Sequence, residues 1–297
     1  MGYIYAIAAT LIWAGNFVIA RGLNSAIPPI SLAFFRWSIA FLALLPFALP
    51  SLLEDRKLFR KHFAYLSVTA LLGITNVNTL IYIAGRTTQA VNMALIATSS
   101  PIFIVIFSRW FYGEKISLRR GLGLAIAVSG VILLVSGGSW EKLASISFAE
   151  GDVYMLLASV VFAGYTMLLK RKPSEMRLAT FHLFTFGLGW IFLLPFYAIE
   201  ISSSPPVNFN FTLSLALLYI GILASVVAFV AWNKAIILAG ATRAALIYYL
   251  IPVFSGFAAW LILGEPIAPV HFLSTIAILT GIILTNHVPS EKSTHRG

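Results

Sequence analysis

Apolar residues in this chain come in long runs, and polar residues come in short clusters between them. Ten runs reach the length of about 20 residues that a helix needs to cross a hydrocarbon core. Their approximate limits are 3–21, 31–50, 63–84, 90–112, 119–137, 152–171, 178–199, 211–236, 242–263 and 270–288. Strands of a membrane barrel are shorter and alternate apolar with polar positions, so these runs predict helices. The connections are short: Pro28-Pro29, Glu54–His62, Ser117–Arg120, Lys170–Arg177 and Ser202–Asn210. None could fold into a soluble domain. No basic stretch precedes the first run, and similar runs follow it, so it is expected to be a permanent span and not a cleaved signal.

Composition agrees. Hydrophobic residues make up 60% of the 297 and charged residues 10%, against about 45–50% and 25% in soluble domains. The formal net charge of +10 sits in the connections. That placement suits anionic lipid headgroups at one membrane face and not nucleic acid. If the N-terminus is cytoplasmic, every Lys and Arg falls in an inside connection or tail except Arg21, Arg86, Lys142 and the intramembrane Arg36. The positive-inside rule then predicts both termini in the cytoplasm.

The two halves of the chain repeat. A shift of 149 carries Ala9, Thr10, Trp13, Ala14, Gly15 and Arg21 onto Ala158, Ser159, Phe162, Ala163, Gly164 and Lys170. A shift of 151 carries Ala90, Ala94, Leu95, Pro101, Gly113, Glu114, Ile116 and Gly130 onto Ala241, Ala245, Leu246, Pro252, Gly264, Glu265, Ile267 and Gly281. The division falls at 1–149 and 150–297. Five spans per half is an odd number, so the second half enters the membrane inverted, an arrangement recurrent in transporters with a substrate site between the repeats. The expected fold is an all-α polytopic membrane protein of ten transmembrane helices in a 5+5 inverted repeat, N- and C-termini cytoplasmic.

The Trp13-Ala14-Gly15-Asn16 and Phe162-Ala163-Gly164-Tyr165 signatures, Phe35-Arg36-Trp37 in the second span, and the Gly113-Glu114 and Gly264-Glu265 pairs together resemble the EamA-type family of the drug/metabolite transporter superfamily. Within it the chain looks most like the YddG-type amino-acid exporters of bacterial inner membranes. The resemblance implies a basket of helices around a central cavity and export of aromatic and other neutral amino acids, with related metabolites.

Polar groups at membrane depth are costly and point to function. Thr75, Asn78, Thr79 and Tyr82 follow the i, i+3, i+4, i+7 spacing of one helical face. They are expected to line a cavity, with interhelical bonding as the alternative. Thr98 and Ser99 before Pro101, and Tyr248 and Tyr249 before Pro252, mark two matched positions where a proline would kink a span. The kinks are candidates for a hinge or for solute contacts. Trp13, Tyr165, Trp232 and Tyr248 lie inside spans rather than at their ends, where belt aromatics belong, and suit an aromatic-lined pocket. Asn16 and Asn233, near Trp13 and Trp232, are placed to orient a solute's amino or carboxylate group. Arg36, Glu114 and Glu265 are expected to serve as structural charges. Arg36 has two further options, snorkelling toward an interface or meeting a solute carboxylate. His182 is the one histidine deep in a span.

Several functions are excluded. There is no cysteine, no HExxH, no phosphate loop at Gly121-Leu122-Gly123 and no mid-span carboxylate to exchange protons. No metal, cofactor or catalytic group is expected, and channel filters leave no signal here. The expected partners are a small-molecule solute and lipid, with the protein a monomer. Sugar-phosphate or nucleotide-sugar exchange, or efflux of cationic drugs, are the alternatives within the superfamily.

Overall fold

The computed structural model describes the whole chain except residues 24–25, 89–92, 94–95, 115, 140, 142–148, 256, 258–268 and 287–297. Glu265, Gly264 and Trp260 therefore lie outside the described residues. The rest folds almost entirely into helices: α1 Gly2–Gly22, α2 Pro29–Lys61, α3 Phe63–Thr87, α4 Ser100–Tyr112, α5 Leu118–Ser136, α6 Glu150–Leu169, α7 Leu178–Ser203, α8 Phe211–Ala239, α9 Ala241–Ser255 and α10 Pro269–Asn286. Five stretches are long and apolar enough to cross a membrane: Pro29–Pro50 of α2, and α3, α6, α7 and α8.

The ends follow from local chemistry. Pro29 occupies the first turn of α2, where a missing N–H costs nothing. Asn210 caps α8 by accepting from the Leu213 amide at 2.8 Å. Gly113 ends α4 with φ +65°, a left-handed cap that other residues adopt only with strain. One expectation fails. The connection at 54–62 is mostly helix, because α2 passes through Pro46 and Pro50 and continues to Lys61. Leu52, Leu58 and Phe59 keep an apolar face on the protein core, and Arg60 and Lys61 sit in the last turn, where the helix dipole favours cations.

Two helices depart from α geometry. Residues Leu71–Asn76 of α3 and Tyr219–Val227 of α8 are wound as π-helix. A third departure is the 3₁₀ turn Tyr248–Leu250 in α9.

Helix partners cross between the halves. α1 packs on the second part of α8, and α3 on α6; α2 pairs with α7, and α5 with α10. α4 meets α6, and α9 meets α1. The α2–α7 pair is tied at both ends. The Glu200 carboxylate accepts from the Ile30 amide at 3.1 Å and from the Ser31 amide and hydroxyl at 2.6 and 2.7 Å, which caps the α2 N-terminus. At the other end Arg177 meets Glu54 at 2.5 Å. Outward faces carry large apolar side chains, among them Phe47, Trp110, Phe111, Ile199 and Ile276. Such continuous apolar exposure is a surface for lipid.

Small residues set the α5–α10 contact, as in many membrane interfaces. A Cβ on Gly123 would lie 2.7 Å from the Gly281 carbonyl, and a Cβ on Gly281 would lie 2.5 Å from the Gly123 carbonyl. Gly121, two residues away, faces open space. Gly123→Leu should therefore cost about 1–3 kcal/mol through overpacking, read as a lower melting temperature in detergent. Gly121→Leu should leave that temperature unchanged.

Candidate functional site

The centre of the molecule holds a buried arginine. Arg36 is 0% exposed. It lies on α2, yet its hydrogen bonds reach three other helices. Nε donates to Ser225 Oγ at 2.7 Å, Nη1 to Asn16 Oδ1 at 3.0 Å and Tyr82 Oη at 2.8 Å, and Nη2 to the Ala224 carbonyl at 3.0 Å. Its guanidinium also lies 5.2 Å from the Trp37 ring. Among the described residues no carboxylate comes within ion-pair distance of it. Snorkelling is therefore ruled out. The acceptors of α1, α3 and α8 hold the cation where it is, and hydrogen bonds to a charged group are the strong kind, about 1.5–3 kcal/mol each.

The π stretch of α8 supplies half of this cradle. A π turn loosens the i→i+4 ladder and often marks a functional site. Here Ala224 lies within it, and its carbonyl accepts from both Arg36 and Trp13 Nε1, each at 3.0 Å. Ser225 in turn donates to the Ile220 carbonyl, five residues back, at 2.8 Å. Its oxygen is thereby turned to Arg36.

Against this cluster opens a narrow cleft of about 320 Å³ lined by Trp13, Asn16, Val77, Asn78, Ile81, Phe162, Phe229 and Tyr248. One wall is aromatic. The Trp13 ring sits 5.7 Å from Phe162, 5.6 Å from Phe229, 5.3 Å from Trp232 and 6.1 Å from Tyr248. The polar end is formed by Asn16 and Asn78. Asn78 is buried and its Nδ2 has no hydrogen-bond partner.

The residues singled out in the sequence divide. Trp13, Asn16, Asn78 and Tyr248 line the cleft, and Tyr82 lies directly behind it on Arg36. Thr75 instead donates across to the Gly189 carbonyl of α7 at 3.2 Å, and Thr79 to the Thr75 carbonyl of its own helix at 2.6 Å. Trp232 backs the aromatic wall and is fully buried. Tyr165 packs against Gly73, where a Cβ would collide with its ring. Asn233 is engaged elsewhere: its Nδ2 and His182 Nε2 are 2.8 Å apart. Thr98 and Ser99 form the turn before α4, and Pro101 occupies the first turn of that helix, so it kinks nothing. Pro252 follows the 3₁₀ turn that contains Tyr248 and the buried Tyr249. Ser225, Phe162 and Phe229 are site residues that the spacing rules did not single out.

Glu114 marks a separate point. It accepts from Lys170 Nζ at 2.6 Å and from Thr242 Oγ1 at 2.8 Å, which bridges the α4–α5 connection to α6 and α9. Burial pushes the Glu114 carboxyl up, but the hydrogen bonds from Lys170 and Thr242 and the charges of Lys170 and Arg120 outweigh it, and its pKa lies below the usual carboxylate value.

The family profile of EamA-like transporters matches residues 1–136 and 149–287. The chain belongs to the EamA-like transporter family. It is a multi-pass membrane transporter rather than an enzyme. An uncharacterized transporter of Archaeoglobus fulgidus is 32% identical over 280 residues, covering 93% of each chain. The uncharacterized transporter YyaM of Bacillus subtilis is 23% identical over 289 residues, covering 96% of this chain and 93% of its own. One protein of known crystal structure has the same fold at a TM-score of 0.71 and 18% identity, with 95% of both chains covered.

Two outcomes follow for this EamA-like protein. Tyr82→Phe removes an acceptor from the buried guanidinium, and chemical denaturation in micelles should register a loss of about 1–3 kcal/mol. For Glu114, the depressed folded pKa means its stabilisation is complete above the ordinary value of 4.5 and fades as pH falls below that. Melting curves of Glu114→Gln should be less stable than the parent above that pH, with the difference shrinking as the solution is acidified.

Proposed function

We propose that this chain is a secondary transporter that exports aromatic and other neutral amino acids, with related small metabolites, across a bacterial inner membrane by alternating access. The observation that carries the reading is the cleft itself. An aromatic wall and an amide-bearing polar end face each other at the centre of the bundle, and both halves of the chain contribute to them. An apolar side chain would rest against Trp13, Phe162, Phe229 and Tyr248, and the backbone end of the solute would meet Asn16 and Asn78. The first listed resemblance in sequence, to the YddG-type exporters, points the same way. Sugar phosphates and nucleotide sugars carry more negative charge than the single Arg36 would balance.

We read the architecture as ten spans in two inverted halves, 1–149 and 150–297, with both termini cytoplasmic and the protein a monomer. Support comes from the cross-pairing. The α1–α8 contact has its counterpart in α6–α3 and the α4–α6 contact in α9–α1, while α2–α7 and α5–α10 are their own counterparts. The two π stretches fall in the third helix of each half. The family profile also matches once in each half. On this reading the halves rock against each other about the cleft, as inverted repeats allow. The turn at Thr98–Ser99 and the 3₁₀ turn before Pro252 are the matched places for bending.

The test is counterflow of radiolabelled phenylalanine in proteoliposomes without an ion gradient. Saturable uptake is expected, and Asn78→Ala and Trp13→Ala should each lower it by about tenfold or more, the worth of a lost buried contact. Absence of counterflow across neutral, aromatic, acidic and basic amino acids would sink the exporter reading.

A further inference from the structure

The charge around the cleft is one-sided. Arg36 is a full positive charge at the centre of a membrane protein, and among the described residues no acidic side chain pairs with it. Water excluded from such a place leaves the cation strongly felt, because attraction grows as the dielectric falls. A buried charge without a counterion is costly, and a partner of opposite charge entering the cleft would relieve that cost.

The orientation of Asn16 carries the argument further. A guanidinium only donates, so Asn16 must turn its oxygen to Arg36 Nη1, as it does at 3.0 Å. The Asn16 amide nitrogen then faces away from the arginine, on the side of the cleft it lines. Across from it Asn78 Nδ2 is buried and has no partner. The polar end of the cleft therefore offers N–H donors backed by a cation. Its cleft-lining residues include no Asp or Glu to receive an ammonium group.

We infer that this cleft reads a carboxylate beside an aromatic or apolar group and does not require an ammonium, so that aryl-substituted monocarboxylates are ligands of the same site. The inference rests on the transporter reading above and narrows its solute class. A zwitterionic amino acid would bind by the same carboxylate, its ammonium contributing nothing and facing the field of Arg36. Amines and amides that keep the ring and lose the carboxylate would be rejected.

Three probes separate these features: 3-phenylpropionate, phenylalanine and phenethylamine. Each would be added to the purified protein in nanodiscs while thermal protection is measured, and each would compete for labelled phenylalanine in proteoliposomes. The expected result is that 3-phenylpropionate protects and competes at least as well as phenylalanine, and that phenethylamine does neither. Asn16→Asp gives Arg36 an internal counterion of nearly the same shape. It should keep the parent melting temperature and weaken 3-phenylpropionate by about tenfold or more, as befits a charge-assisted contact. Protection by phenethylamine equal to that by 3-phenylpropionate, unchanged 3-phenylpropionate binding in Asn16→Asp, or no protection by 3-phenylpropionate would each overturn the inference. Phenylalanine counterflow that persists in any of those cases would leave the exporter reading standing. Protection by 3-phenylpropionate without phenylalanine counterflow would remove the amino-acid reading and keep this one.

Discussion

A guanidinium buried in a membrane protein must have its donors met, and that requirement organises the centre of this molecule. Arg36 draws Asn16 from α1, Tyr82 from α3, and Ser225 and the Ala224 carbonyl from α8 onto one point of α2. Each of these bonds fixes the rotation of a helix, because a side chain that must reach the centre cannot face lipid. The rotations then decide what else faces inward. With Asn16 and Trp13 on α1 and Asn78 and Tyr82 on α3 held to the same side, the aromatic wall and the amide end meet across a single cleft. The cleft is in this sense a by-product of satisfying one charge.

Around that centre the bundle is held by contacts of a different kind. The α5–α10 pair closes by small residues, with Gly123 and Gly281 backbone to backbone. The α2–α7 pair is fixed at one end by the Glu200 carboxylate and at the other by Arg177 and Glu54. Polar ties near the helix ends and close packing between them leave the middle free to carry polar residues that packing alone would not tolerate. Glu114, Lys170 and Thr242 add a bridge between the two halves of the chain, well apart from the aromatic wall.

The helices were legible because lipid imposes a length and a composition that survive in the bare sequence. The aromatic and asparagine members of the cleft were legible for a related reason, since Trp13, Asn16, Asn78 and Tyr248 are out of place in a lipid-facing span. The polar stripe of α3 was only half right. Its spacing rule assumes about 100° per residue, and Thr75 lies within the π stretch, where the winding is wider. Thr75 thus swings toward α7 and bonds Gly189, while Asn78 and Tyr82, beyond the stretch, stay on the cleft side. Pro101 looked like a kink because the run of apolar residues continues through it; the chain turns at Thr98–Ser99 first and uses the proline to start a helix. The role of Ala224 is invisible in any sequence pattern, since its backbone oxygen does the work.

The nine-residue π stretch of α8 has a consequence beyond its hydrogen bonds. A π turn accommodates an added residue inside a continuous helix, and each added residue rotates everything after it by about 100°. Phe229 and Trp232 come after it and owe their compass bearing to it. The facing of the aromatic wall is thus encoded in a residue count upstream, not in the wall itself. A single insertion or deletion between Tyr219 and Val227 would re-aim these rings without altering one of them, which gives a lineage of such chains a means to reshape the cleft in one genetic step.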